Sequence, residues 1–167
     1  MTSRLRPGAT ILDIGCGSGR DLLWFREYGF KPTGFEVSPS LARLAEDHSG
    51  CPVIVDDFSS YDFSVHSFDA LVFVGSLVHL YEAEFPEVIA RVSRAMKDTG
   101  KMYLTLKEGE GMAQRPDGRL DTLWTAEGLE NIFSDQGFAV LDSSRNISVM
   151  GTGDAWLAYL LTFNGGG

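Results

Sequence analysis

Cysteine is scarce: only Cys16 and Cys51 occur in 167 residues, and nothing at the amino end reads as a basic, then apolar, then small-residue secretion signal. The expected compartment is therefore a reducing cytoplasm. Long apolar runs are lacking too. The longest, residues 70–74, falls far short of the roughly 20 residues a helix needs to cross a bilayer, so no membrane role is implied. Positive charge is in deficit, with 14 Lys and Arg against 23 Asp and Glu and a net charge of −9, a balance that repels phosphate backbones and disfavours nonspecific DNA or RNA binding. Histidine is rare, and His48 and His66 lie in polar connections without metal-ligand spacing, so no metal site is expected.

What the chain does have is an ordinary globular composition, 44% hydrophobic and 22% charged, at a length that fits one domain over residues 1–167. A β-branched run at 10–14, three glycines and an amphipathic stretch at 21–28 predict a strand, a tight loop and a helix. Gly29 supplies a stop, 33–37 reads as a second strand, and Ser38-Pro39-Ser40 opens a short helix running to Asp47. Residues 53–55 make a third strand, and 68–74 form a nearly continuous apolar strand of the kind buried on both faces. A single helical turn at 77–81 and a helix at 85–96, with Pro86 near its start and Gly100 past its end, lead to a fifth strand at 102–106. Residues 107–122 show no clear period and form the longest irregular connection, the natural substrate loop. After a helix at 125–136, strands at 138–145 and 156–163 are joined by the Gly151-Thr152-Gly153-Asp154 turn with no helix between them, which predicts an antiparallel hairpin at the sheet edge. The glycines at 165–167 read as a floppy tail. The whole is an α/β fold, a Rossmann-like, doubly wound, seven-stranded, mostly parallel sheet closed by a carboxy-terminal antiparallel hairpin. Its ligand crevice belongs after the first and fourth strands, where the winding reverses.

The segment ILDIGCGSGRD puts Asp13 near the end of the first strand and Gly15, Gly17 and Gly19 in the turn after it. Glycines let the backbone approach a ligand, and the helix that follows has free N–H groups. A phosphate-binding P-loop is excluded because the loop holds no lysine. A dinucleotide loop expects glycine three places after the second one, where Arg20 stands. Glu36, at the end of the second strand, can accept both hydroxyl protons of a ribose, which indicates an adenosine ligand.

At this point the chain resembles the class I S-adenosylmethionine-dependent methyltransferases. ILDIGCGSG is similar to the first motif of that family, GFEVSPSL to its second-strand motif, VDDFSSYDF to its third-strand acidic motif and FDALVFVGSLVHL to its fourth-strand motif. The resemblance implies S-adenosyl-L-methionine as cofactor and S-adenosyl-L-homocysteine as product. It implies that the backbone at Gly15, Cys16 and Gly17 faces the methionine part, with Asp13 orienting the loop or meeting the amino group, and that Glu36 holds the ribose. Asp57 takes the adenine amino group in competition with Asp56, Phe58 lies beside the base, Val37 packs on its other face, and Val74 and Gly75 offer carbonyls to the ammonium.

Methyl transfer from a sulfonium needs alignment, exclusion of water and, for some acceptors, removal of a proton. His79, past the fourth strand, is the candidate general base, against a structural reading in which it braces the helix. Tyr81, Lys107 and Glu108 are candidate acceptor contacts, each with a structural or solvated alternative, and Lys107, Arg115 and Arg119 form either an anion site or a solvated loop. No Asn/Asp-Pro-Pro-Tyr/Phe or Pro-Cys sequence follows the fourth strand, so neither adenine amino nor cytosine C5 methylation is supported. About nine residues precede the first strand, where the family carries lid helices, so the site is expected to be open and the lid short or absent; a homodimer or partner chain covering it is one alternative. The expected activity is methylation of an oxygen or nitrogen of a small molecule. The alternative is a catalytically idle cofactor-binding module or partner subunit.

Overall fold

The computed structural model describes residues 1–148 and 152–164. Four strands of the sheet, β1 (Thr10–Ile14), β2 (Lys31–Glu36), β3 (Val53–Val55) and β4 (Phe68–Val74), run parallel with the fifth, β5 (Met96–Lys107). Two short strands, β6 (Met112–Gln114) and β7 (Leu120–Thr122), pair only with each other, and β8 (Phe138–Ile147) and β9 (Ala155–Phe163) complete the main sheet in the order β3-β2-β1-β4-β5-β9-β8. The winding reverses between β1 and β4, which opens the crevice at their carboxyl ends.

Helices cover the two faces unequally. On β4, Leu71 and Phe73 join the main core beneath α3 (Phe85–Val92) and α4 (Ala126–Asp135), whereas Ala70 and Val72 pack with Ile11 on Phe25 of α1 (Arg20–Glu27). This is the two-residue alternation of a strand buried on both sides. Helix α3 buries Phe85, Val88, Ile89 and Val92, the i, i+3, i+4, i+7 stripe of an amphipathic helix. Helix α2 (Pro39–Ser49) starts with Pro39 in its first turn and Ser38 Oγ accepting from Leu41 N–H at 3.4 Å, and Thr125 caps α4 by accepting from Gly128 N–H at 3.1 Å.

Four elements differ from the sequence reading. The helix expected at 85–96 ends at Val92 and tightens into a 3-10 turn at Ser93–Ala95, and β5 begins at Met96 instead of at residue 102. Between Phe68 and Ala70 of β4 the register of β5 jumps from Met96 to Lys101, a bulge that holds Gly100. A Cβ on Gly100 would meet Met96 Cγ at 2.5 Å and the Lys97 carbonyl at 2.8 Å, so this glycine answers to close packing and not to a helix end. The connection at 107–122 carries the β6–β7 hairpin. The carboxy-terminal hairpin lies at the sheet edge as expected, and its order, which the sequence left open, is that β9, not β8, pairs with β5, so the strand antiparallel to the rest is internal. Leu157 through Leu161 of β9 are buried, while β8 shows exposed residues from Asp142 to Ile147, and a polar strand belongs at an edge. Fourth, Trp24, whose helical spacing in the sequence groups it with Leu22 and Phe25 as core, is exposed and stacks on Tyr28 at 4.2 Å, because it lies off the face those two bury. Residues 77–81 make one hydrogen-bonded turn, Leu80 N–H to Leu77 O at 3.1 Å. Gly151 of the expected turn and the glycines at 165–167 lie outside the described residues. No helix among the described residues is long and apolar enough to cross a membrane.

Candidate functional site

The loop from β1 to α1 is shaped by its glycines. Gly15 has φ of 73°, and a Cβ there would lie 2.4 Å from Ser76 Cβ, so only glycine lets the first loop lie against the end of β4. Gly19, φ 82°, caps α1 with its ideal Cβ position 2.9 Å from the Ala45 backbone, where α1 and α2 meet. Most of the loop donors are occupied within the protein. Gly15 and Cys16 both donate to the Phe35 carbonyl, at 2.8 and 3.2 Å, and Gly17 donates to Glu36 Oε2 at 3.0 Å. A loop whose amides are so used is not a phosphate cradle, in agreement with the missing lysine.

Two carboxylates face it. Asp13 follows Ile11 on the α1 side of the sheet, is 3% exposed, and has no hydrogen-bonding partner for its side chain among the described residues. Burial, reinforced by Asp21 and Glu36 and opposed by Arg20, pushes its carboxyl up to about 7. Glu36, 7% exposed, is held by one backbone donor on each oxygen, Gly17 N–H and Ser38 N–H, both at 3.0 Å. Each oxygen keeps a further lone pair, so the group is fixed in place and still able to accept two hydroxyls. Cys16 is half-buried, and burial beside Asp13 and Glu36 pushes its thiol up to about 12, which makes it a neutral packing group.

Of the residues read from the sequence, Asp13, Gly15, Cys16, Gly17 and Val74 come together around one cavity of about 230 Å³, with Ser18, Arg20 and Asp21. Glu36 joins it through Gly17. Val74 and Gly75 open onto a neighbouring cavity of about 390 Å³ with Tyr103, Thr105, Ile147, Trp156 and Ala158, where the Trp156 ring stands 3.4 Å from the Cβ position of Gly75. Val37, exposed, follows β2, and Asp57 and Phe58 follow β3, so these three sit at the carboxyl ends of the strands on the β3 side. Asp57 Oδ1 accepts from Ser59 N–H at 2.8 Å and Ser59 Oγ at 2.7 Å; these bonds hold its carboxyl below the usual range and leave Oδ2 as an acceptor. Asp56 accepts only the Asp57 N–H, at 2.7 Å, among the described residues. Phe58 is half-buried against the main core.

His79 does not line the 230 Å³ cavity. Its Nδ1 lies 3.1 Å from Asp121 Oδ1 and 3.1 Å from the Leu120 carbonyl. Both neighbours accept, so Nδ1 carries a proton and points it at them, and Nε2 faces away from Asp121. The aspartate was not singled out in the sequence. Asp121 is fully buried and also receives Lys107 Nζ at 2.9 Å and Arg115 Nε at 2.7 Å; burial acts to raise its carboxyl, and these two cations outweigh it and hold it low. The stretch 107–122 holds four acids and three bases without period, so nothing in the sequence marked Asp121 out. Lys107 also pairs with Asp154 at 3.0 Å, so Lys107 and Arg115 are not an open anion site, whereas Arg119 pairs with Asp117 on the exposed, solvated part of the loop and Glu108 pairs with Arg145. Tyr81 is exposed.

The site's chemistry can be checked against a known cofactor class. Two nearly buried carboxylates, one without a hydrogen-bonding partner among the described residues, suit a ligand with a cationic end and a diol, and Ser76 Oγ, buried beside Gly15 and likewise without a partner among the described residues, adds a hydroxyl. Residues 11–100, more than half of the chain, match the family described as the methyltransferase domain. The chain belongs to that family. Among curated methyltransferase relatives, it is 34% identical over 94 residues to 2-methyl-6-phytyl-1,4-hydroquinone methyltransferase of Synechocystis, covering 53% of this chain and 30% of that one. The chain spans less than half the length of the first curated relatives it matches. An S-adenosylmethionine-dependent methyltransferase of Methanosarcina mazei superposes with a TM-score of 0.84 at 22% identity, covering 97% of this chain and 96% of that one. The Burkholderia thailandensis 1,6-didemethyltoxoflavin-N1-methyltransferase, solved with 1,6-didemethyltoxoflavin and S-adenosylhomocysteine, does so with a TM-score of 0.79 at 24% identity, covering 95% and 72%. At these identities the two structures show the methyltransferase fold.

Proposed function

We propose that this methyltransferase-family chain binds S-adenosylmethionine in the crevice between β1 and β4 and transfers its methyl group to an oxygen or nitrogen of a small molecule. The observation that carries the reading is the pairing of Asp13, buried and without a hydrogen-bonding partner among the described residues, with Glu36, buried and fixed, across a glycine loop whose Gly15, Cys16 and Gly17 amides are occupied. The cofactor, when bound, supplies a methyl carbon on a sulfonium and leaves as the thioether S-adenosylhomocysteine.

In this reading Asp13 meets the ammonium together with the carbonyls of Val74 and Gly75, and Gly15, Cys16 and Gly17 form the backbone wall beside the methionine part. Glu36 accepts the ribose hydroxyls. Asp57 accepts from the adenine amino group with the oxygen its Ser59 bonds leave open, and Val37 and Phe58 flank the base. The acceptor occupies the adjoining cavity beside Tyr103 and Trp156. His79 lines neither cavity, so it can take a proton on Nε2, Nδ1 being held by Asp121, only from an acceptor that extends beyond them toward β7. An acceptor recognised through phosphate is disfavoured, because Lys107 and Arg115 are already paired with Asp121.

Calorimetric titration tests the cofactor. Wild type is expected to bind S-adenosylhomocysteine and not NAD, and Glu36→Ala to weaken binding about 10- to 100-fold, the worth of a pair of charged hydrogen bonds. Equal affinity of wild type and Glu36→Ala would sink the assignment.

A further inference from the structure

The sheet surface beside the crevice has a low floor, two ring-shaped walls and no unpaired charge. Along β5, Tyr103, Thr105 and Lys107 alternate with Met102, Leu104 and Leu106 of the main core, and Tyr103 packs against the cluster of Ile11, Phe25 and Val72, which puts that row on the α1 side of the sheet. Across the ladder on β9 their partners are Leu160, Ala158 and Trp156. Thr105 and Ala158 are small, so the middle of the row is low, and Tyr103 and Trp156 bound it on either side in the cavity of about 390 Å³. A slot between two rings fits a flat molecule. Lys107 Nζ lies 5.7 Å from the centroid of the Trp156 ring, a cation–π contact that steadies the indole.

Among the described residues lining this cavity Arg20 alone is charged, and Asp21 neutralises it, with Nε donating to Oδ1 at 2.8 Å and Nη2 to Oδ2 at 3.0 Å. Burial, with Asp21 nearby, raises the Tyr103 hydroxyl above its ordinary value, so that wall stays neutral. A charged acceptor entering here gives up hydration and finds no free counter-charge. Polar contact is available without charge: Thr105 Oγ1 accepts from Gly75 N–H at 2.9 Å, and its own O–H, which has no acceptor among the described residues, can donate to an oxygen or nitrogen on a ring. The volume lies near the lower end of the roughly 300–1,000 Å³ of ligand sites, which suits a single ring or a fused pair. Val74 lines both this cavity and the 230 Å³ one, so a ring in the slot reaches the border of the cofactor's cavity.

We propose that the methyl acceptor is a flat, uncharged aromatic molecule and that Tyr103 and Trp156 select it by holding its ring between theirs. The inference rests on the proposed cofactor and acceptor cavity, and adds the chemical class of the acceptor and the two residues that discriminate it.

The test is calorimetric titration, with S-adenosylhomocysteine in excess, of three probes built on one skeleton: 2-naphthol, its saturated form decahydro-2-naphthol, and the anion 2-naphthoate. Wild type is expected to bind 2-naphthol about 3- to 10-fold more tightly than the saturated probe, the worth of ring contacts beyond buried area, and 2-naphthoate most weakly. Trp156→Leu and Tyr103→Leu keep apolar bulk but lose a ring, and each should cut the preference for 2-naphthol over its saturated form at least about 2-fold. Trp156→Phe and Tyr103→Phe should retain it, which separates loss of the ring from damage to the fold. Equal wild-type affinity for the two uncharged probes, an unchanged preference in both leucine variants, or tightest binding of 2-naphthoate overturns the inference. So does a wild type that takes S-adenosylhomocysteine and none of the probes. A wild type that does not take S-adenosylhomocysteine overturns the cofactor reading itself, and the acceptor assignment with it.

Discussion

Asp13 and Glu36 stand at the ends of adjacent strands and are buried alike, yet their surroundings give them different work. Two backbone donors hold Glu36, while Asp13 faces an acidic cavity without a donor of its own. The Asp13 carboxyl loses its proton near pH 3.8 when unfolded and near 7 when folded, so between those values the folded chain binds more protons and stability falls as pH rises. Asp13→Asn is therefore expected to match wild type in stability at pH 4 and to exceed it at pH 8 by ~1–2 kcal/mol, a fraction of the full shift, read from thermal midpoints at the two pH values. Ligand binding should run the other way: S-adenosylhomocysteine affinity of wild type rises through pH 7 as Asp13 becomes the counter-charge of the ammonium. Midpoints that differ by the same amount at every pH would refute the account.

The segment at 107–122 looked featureless because its order comes from elsewhere in the chain. Asp121 on β7 gathers Lys107 from the end of β5, Arg115 from beyond β6 and His79 from the turn after β4, and Thr122 donates from N to Val78 O at 2.8 Å and from Oγ1 to Leu80 O at 2.6 Å. No local periodicity records such contacts. Replacing Asp121 by Asn leaves Lys107 and Arg115 without their shared counter-charge, and the expected loss is ~3–5 kcal/mol, the range for breaking a buried charge pair. Urea denaturation would measure it, and amide exchange should quicken across 107–122 while S-adenosylhomocysteine affinity stays near the wild-type value. A loss of stability confined to the ~0–1 kcal/mol of an exposed pair would show that the hub is solvated.

Across the whole molecule, the two ends of the sheet divide stability from binding. The carboxyl ends of β1, β2 and β4 carry the site; at the amino end of β4, Asp69 accepts from Thr10 N–H and Oγ1, both at 2.9 Å, and from Lys97 Nζ at 2.8 Å, tying β1, β4 and β5 together. Burial acts to raise the Asp69 carboxyl, but the Lys97 and Thr10 bonds prevail and hold it well below the carboxylate range. A depressed value means stability that is present above about pH 4 and is lost as the pH falls further. Asp69→Ala should cost ~1–3 kcal/mol at neutral pH, less at pH 3, and leave S-adenosylhomocysteine affinity unchanged. A fall in affinity equal to the fall in stability would show that the two ends are coupled.

The sequence by itself determined the alternation of strands and helices, the glycine loop and the acids at the ends of β1, β2 and β3, because each is encoded by neighbours in the chain: a β-branched run, a helix cap, a glycine where φ is positive. It determined family membership for the same reason, as motifs in order. The tertiary structure decided what depends on distant partners. It buried Asp13 without a donor, paired His79 with an aspartate 42 positions away, moved β9 inside β8, and withdrew Lys107 and Arg115 from any anion by giving both to Asp121. Such long-range charge pairs and strand exchanges follow from which surfaces meet in the packed fold, and residue spacing along the chain carries no record of them.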